Sequence, residues 1–271
     1  MRSFSSVVAW LVAVLAGIVT VPLLWVSAHV ADEDGYVEFS SRLAMDDQLQ
    51  AAFADYLAED YVQRGVLPRR LQDVAASALT TAARQTSNQP GFVEAWEATQ
   101  RSFHRSAFQD GTEPLTVDVS PMAQFVVDRV GDGIPVRLRV PDGLTVQVGS
   151  ASERAELQRV SQSTTFGLLG LLVVVVAGVT SLLSARSRPL ALAGLGVGAL
   201  VVAGVDRFAT SVVTPRLLDE VQEQNAFGRT VQRLLVDRAS DSLADWLEWL
   251  AIGGAAAVVV GAVVAVVARR P

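Results

Sequence analysis

The chain has 271 residues, 51% of them hydrophobic, and a formal net charge of −6. The acidic balance lacks the basic face that nucleic-acid binding needs, and the absence of cysteine excludes disulfides and thiolate chemistry. The apolar residues concentrate in runs long enough to cross a bilayer, which takes about 20 residues as a helix.

The first such run is Val7–Val26, with Trp25 near its end. It reads as a membrane helix over residues 1–27. "VSA" at 26–28 also fits a signal-peptide cleavage site, but the run exceeds the roughly 7–15 apolar residues of a typical signal core, so retention as an anchor is expected.

Residues 28–162 have the size of a domain. In "MDDQLQAAFADYLAEDYVQRG", Met45, Leu49, Phe53, Tyr56 and Leu57 recur at helical spacing, and Gly65 offers a stop. A second helix is expected from Pro68 through "RRLQDVAASALTTAARQ". A third follows "NQPG" and carries Phe92, Trp96, Phe103 and Phe108. The period then changes to two. "EPLTVDVS" alternates Leu115, Val117 and Val119 against Thr116, Asp118 and Ser120, which predicts a half-buried strand. Ser120 can cap a helix that has Pro121 in its first turn. "VRLRV" at 136–140 and "LTVQV" at 144–148 flank the turn signal "PDG" and predict two more strands. Ser150 and Glu153 form a capping box, opening a helix that should feed into the second span.

The second and third spans, Phe166–Leu183 and Pro189–Val205, occupy 163–185 and 189–205, separated by a short loop at 186–188. The third has 17 uncharged residues between Arg188 and Asp206, so its helix should run past Asp206 or stand nearly upright. Residues 206–248 carry an amphipathic helical pattern with an apolar stripe that something must cover. Candidate covers are the 28–162 domain, the membrane surface or a partner. The last span is Trp249–Ala268, within 249–271.

Charge sets the expected orientation. Residues between spans one and two hold 20 acids and 12 arginines, and those between spans three and four hold 8 acids and 5 arginines. Arg2, Arg186, Arg188, Arg269 and Arg270 fall in the three short remaining segments, all on one side of a four-span protein. Short arginine-rich segments stay cytosolic, which puts both termini and the 186–188 loop inside and both longer segments outside, in a plasma membrane. Trp25, Trp246 and Trp249 then fall at the outer interface as anchors.

Few residues invite chemistry. His104 has Glu97 and Arg101 one or two turns earlier, an acid–base geometry in principle. It lacks a nucleophile motif beside it, so a structural role is expected. Two isolated histidines make no zinc set, and "ADEDG" at 31–35 lacks calcium-loop spacing. No catalytic residue, metal ligand or cofactor is assigned. Gly194 and Gly198 form a GxxxG pair within the third span, expected to pack inside the protein's own bundle. Arg137 and Arg139, with Asp118, lie on the polar faces of their strands. They are either a cross-strand pairing or an interaction face for an anionic headgroup or partner.

The layout of one span, a large domain and three spans resembles the four-span permease subunits of certain ABC systems, though no amphipathic coupling helix is present on the cytosolic side. "DDQLQAAFADYLAEDYVQR", "FVEAWEATQRSFH" and "LTVDVSPMAQFVVDRV" together resemble a family of uncharacterised actinobacterial four-span integral membrane proteins. That family has a tryptophan and a histidine spaced like Trp96 and His104, and a strand-to-helix motif like Thr116–Met122. The resemblance implies a four-span fold and brings no activity. The expectation is an α+β membrane protein with four transmembrane helices and a mostly helical extracytoplasmic domain carrying a small three-stranded sheet. Its expected role is non-enzymatic: a scaffold or accessory protein of the cell envelope whose partners are membrane lipid and envelope or membrane proteins. A permease-like or lipid-handling component is the alternative. The oligomeric state is left open.

Overall fold

The computed structural model describes residues 2–63, 81, 89–109, 111–131, 140, 143–219 and 226–268. The helices are α1 (Arg2–Val26), α2 (Glu33–Ser41), α3 (Asp47–Gln63), α4 (Pro90–Phe108), α5 (Ser120–Gly131), α6 (Ala151–Val160), α7 (Ser163–Ser184), α8 (Arg188–Asp219) and α9 (Ala226–Val267). Strands β1 (Leu115–Asp118) and β2 (Thr145–Gly149) form one antiparallel sheet. The chain divides into two compact units. One holds Met1–Ala28, Gln162–Leu217 and Asp237–Pro271; the other holds His29–Ser161 and Leu218–Val236.

The first unit is helical. Four helical segments are long and apolar enough to cross a membrane: Phe4–Ala31, Ala151–Ser184, Arg188–Arg216 and Ala226–Val267. Their packing relies on small and hydroxylated side chains, as expected where the solvent is as apolar as leucine. The α1–α7 pair is joined by Ser6 and Ser181, each hydroxyl donating to the other's carbonyl at 3.0 and 3.1 Å. A Cβ on Gly167 would lie 3.1 Å from Leu24, and one on Gly170 would meet Thr20. α8 and α9 run antiparallel, with Gly196 against Gly254 and Gly261 against Pro189 and Ala193. The 32 residues of α8 carry the helix past Asp206, the first of the two outcomes expected for a span of 17 uncharged residues. α9 is one uninterrupted helix of 42 residues, about 63 Å at 1.5 Å per residue, roughly twice the thickness of a hydrocarbon core.

The second unit is built on aromatic side chains. Phe53, Phe92, Trp96, Met122, Leu144 and Val119 are fully buried. Ring centroids of Phe53 lie 6.1 Å from Phe92 and 5.7 Å from Phe227, and Tyr56 stacks on Phe227 at 5.6 Å. Pro90 occupies the first turn of α4, where its missing N–H costs nothing. Phe227 and Val231, from the start of α9, belong to this core. They answer what covers that part of the apolar stripe: the α+β unit itself. A Cβ on Gly228 would sit 2.7 Å from the Gln147 carbonyl oxygen, so only glycine lets α9 cross β2 this closely.

In the sheet, Thr116 pairs with Gln147, Val117 with Val146 and Asp118 with Thr145. Leu115, Val117 and Val119 are buried on one strand and Leu144, Val146 and Val148 on the other. That is the alternation a pleated strand imposes when one face meets a core. Gly143 has a φ of +68°, a left-handed conformation at the turn into β2 that glycine adopts freely.

The structure sharpens several expectations. The described sheet has two strands. The third expected strand lies outside the described residues except for Val140, which packs against the core without strand pairing. The helix expected after Pro68 and the stop at Gly65 also lie outside them. Ser120 is the first helical residue rather than the cap. The Asp118 carboxylate caps α5 by accepting from the Ser120 amide at 2.9 Å and its hydroxyl at 2.5 Å. The capping box at Ser150 and Glu153 is complete. The helix it opens, α6, reaches α7 through a two-residue turn at Ser161 and Gln162.

Candidate functional site

The residues singled out from sequence separate into distinct places. Asp118 is exposed and engaged as the cap of α5. It faces Thr145 across the ladder, while Arg137 and Arg139 lie outside the described residues. Trp25 is 5% exposed, and its indole N–H donates to the Ser242 hydroxyl of α9 at 3.2 Å. It is a packing residue inside the helical unit rather than a lipid-facing anchor. Trp249 is 73% exposed and Trp246 39%.

Of the two expected packing glycines, Gly198 sits against α1, where a Cβ would lie 2.8 Å from Val14 and 3.0 Å from the Trp10 indole nitrogen. A Cβ on Gly194 would meet nothing within 4 Å among the described residues. Gly194 contributes its carbonyl, which accepts from Trp10. The close α8–α9 approach falls instead at Gly196. All three glycines share a short sequence, and which face of α8 meets which neighbour is a property of the assembled helices.

His104 is buried, with Nε2 3.0 Å from the Val30 carbonyl oxygen and its ring 4.5 Å from that of Phe108 and 5.4 Å from that of Tyr36. Tyr36 donates to Gln100 Oε1 at 2.8 Å. Burial pushes its hydroxyl well above the usual phenol range, so it stays a neutral donor. Trp96 donates to the Ser40 carbonyl at 2.9 Å. The Arg154 guanidinium donates to the carbonyls of Ser106 and Glu113 at 2.6 and 2.8 Å. Arg101 is bound not to Glu97 but to Glu33 and Asp34, at 3.3 and 2.8 Å. The Arg105 side chain beside Glu33, joined by Arg101, holds that carboxyl below its ordinary value. Each of these groups satisfies buried backbone or ties α2 to α4, which is structural work.

A cleft of about 740 Å³ opens between α8 and α9 within the helical unit, a size typical of ligand sites. Its charged lining is Arg207 from α8 and Arg238, Asp241, Asp245 and Glu248 from α9. On α9 these recur at one-turn and two-turn steps, which places them on a single face. Leu200, Ala203, Leu247 and Ala251 complete the wall on the side of the apolar stretches. None of the five charged side chains is hydrogen-bonded or ion-paired to another described residue, and the Arg238 Nε is buried without a partner. Arg207, Asp241, Asp245 and Glu248 are exposed and Arg238 is half-buried, so the charges line an open cleft.

Asp206 lies inside the candidate span Arg188–Arg216. It is 4% exposed, and its Oδ2 has no hydrogen-bond partner among the described residues. Sequence reading placed it at the outer edge of a 17-residue span. The continuous helix carries it just beyond the 17 uncharged residues, next to Arg207. Val202, one turn earlier, lines an apolar cavity of about 280 Å³ shared with Ala13, Val14 and Gly17 of α1, Gly178 of α7 and Leu250 of α9. Among the described residues, no group of three or more histidines, aspartates or glutamates is placed to hold a metal ion.

Four membrane-length helices in one bundle define the class: a multi-pass membrane protein. Comparison with protein-family models, curated proteins and solved structures finds no match.

Proposed function

We propose that this chain is a non-enzymatic integral membrane protein of the cell envelope, presenting its α+β unit outside the cytosol to envelope proteins or lipids. The observation that carries this reading is the division of labour in the chain. One unit holds four apolar helices, and the other is a folded body with its own aromatic core. The arginine-only short segments support an extracytoplasmic α+β unit. Three of its buried polar side chains, His104, Trp96 and Arg154, are engaged with backbone carbonyls.

Co-purification of the full chain in mild detergent after crosslinking in intact cells tests the proposal. Recovery of envelope proteins through the α+β unit is the expected result. Recovery of a cytosolic ATPase instead would favour a permease-like component. The second reading, a lipid-handling role, draws on the unpaired charges of the α8–α9 cleft.

A further inference from the structure

We propose that the α8–α9 cleft binds the headgroup of an aminophospholipid, with Arg207 and Arg238 holding the phosphodiester and Asp241, Asp245 and Glu248 holding the primary ammonium. The proposal rests on the helical unit alone and is independent of what the α+β unit engages.

Three features of the cleft lead there. Its charges are of both signs and are satisfied by no other described residue. A ligand that carries both signs can sit among them, whereas a simple anion would face three carboxylates and a simple cation two guanidiniums. The cleft also sits where both helices change character. Uncharged residues run from Pro189 to Val205 on α8 and from Trp249 onward on α9, and the charged lining begins directly beyond them. Since the helices are antiparallel at Gly196 and Gly254, these two boundaries fall about one helical turn apart at the same end of the pair. The wall toward the apolar stretches is Leu200, Ala203, Leu247 and Ala251. Beyond it Ile252 and Val259 are exposed and offer a track for acyl chains. The exposed Trp249 beside Glu248 marks the same end.

The chemistry selects among lipids. Arginine forks match phosphate oxygens through charge-assisted hydrogen bonds. A primary ammonium donates three hydrogen bonds, and three carboxylates at one-helix-face spacing can accept them. A quaternary ammonium donates none and is recognised by aromatic cages, yet no aromatic residue among the described ones lines this cleft. An anionic glycerol headgroup leaves the carboxylates uncompensated.

Native mass spectrometry of the full chain in detergent, with phosphatidylethanolamine, phosphatidylcholine and phosphatidylglycerol of identical acyl chains, provides the test. Ethanolamine lipid should be retained about tenfold more tightly than either other lipid. Replacing Arg207→Gln with Arg238→Gln should weaken all three lipids. The isosteric set Asp241→Asn, Asp245→Asn and Glu248→Gln should lower ethanolamine lipid to the choline level and raise glycerol lipid. Glu248→Gln alone, at an exposed position, reports the same trend in a protein certain to keep its packing. The proposal is wrong if the unaltered protein does not separate ethanolamine from choline lipid, or if the preference survives the amide set. It is equally wrong if soluble glycerophosphoethanolamine displaces the lipid at equal concentration, because the ligand is then the free headgroup, or if magnesium or calcium ions alone occupy the acids and exclude the lipid.

Discussion

The indole N–H of Trp10 donates to the Gly194 carbonyl oxygen at 2.7 Å, joining the first and third membrane-length helices. A carbonyl already engaged in its own helix accepts a second donor, and an indole N–H that lipid could not satisfy finds a partner. Trp10→Phe keeps most of the ring volume and removes the donor. The expected loss is about 0.6–1.7 kcal/mol, read as a lower unfolding temperature in detergent. An unchanged temperature would remove this bond from the stabilising set.

Gly194 and Gly196 make a controlled pair. A methyl at 194 meets nothing within 4 Å among the described residues, whereas one at 196 runs into the Gly254 backbone and the Val258 side chain of α9. Gly194→Ala should be neutral or slightly stabilising through helix propensity. Gly196→Ala should cost about 1–3 kcal/mol by overpacking. Thermal unfolding of the two single variants in one detergent decides it, and equal effects would mean the α8–α9 crossing lies elsewhere.

His104 is read as a buried strut. His104→Ala leaves the Val30 carbonyl without its side-chain partner and empties space beside Phe108 and Tyr36. The expected destabilisation is about 1–3 kcal/mol. His104→Gln keeps a donor of similar reach and should preserve partner capture. Loss of capture in His104→Gln at unchanged thermal stability would contradict the structural role.

The Glu33 carboxylate, held by Arg105 and Arg101, has its pKa lowered below the ordinary 4.5. A depressed folded value means the contribution to stability is full above the unfolded value and is lost as pH falls through the folded one. The α2–α4 contact should therefore weaken only on acidification below that ordinary value, and Glu33→Gln should flatten this acid limb. Because these groups are partly open to solvent, added salt should shrink the effect. Melting temperature against pH, at low and high salt, measures both.

The orientation is accessible because the chain has no cysteine. Ser184→Cys lies at the end of α7 beside the short arginine-bearing loop, while Ala155→Cys and Asp237→Cys lie on exposed positions of α6 and α9. A membrane-impermeant thiol reagent on intact cells should label Ala155→Cys and Asp237→Cys and spare Ser184→Cys. Labelling of Ser184→Cys would reverse the assigned sides.

The sequence by itself determined what local periodicity and composition can encode. Apolar runs marked four membrane-length helices, and period-two alternation at Leu115–Val119 and Leu144–Val148 gave the inward faces of both described strands. Ser150 and Glu153 announced their capping box. Each of these depends on residues a few positions apart. Tertiary structure decided what distant residues do to one another. Trp25 reads as an interface anchor until α9 brings Ser242 to it and buries it. Asp118 reads as a strand surface until the turn of the chain lays it on the Ser120 amide. Gly194 matches a packing motif, but the rotation of α8 against its neighbours gives the close contacts to Gly196 and Gly198. The charged cleft left no signal of its own, because Arg207 and the acids of α9 are more than thirty positions apart and meet only through the antiparallel pairing of two helices.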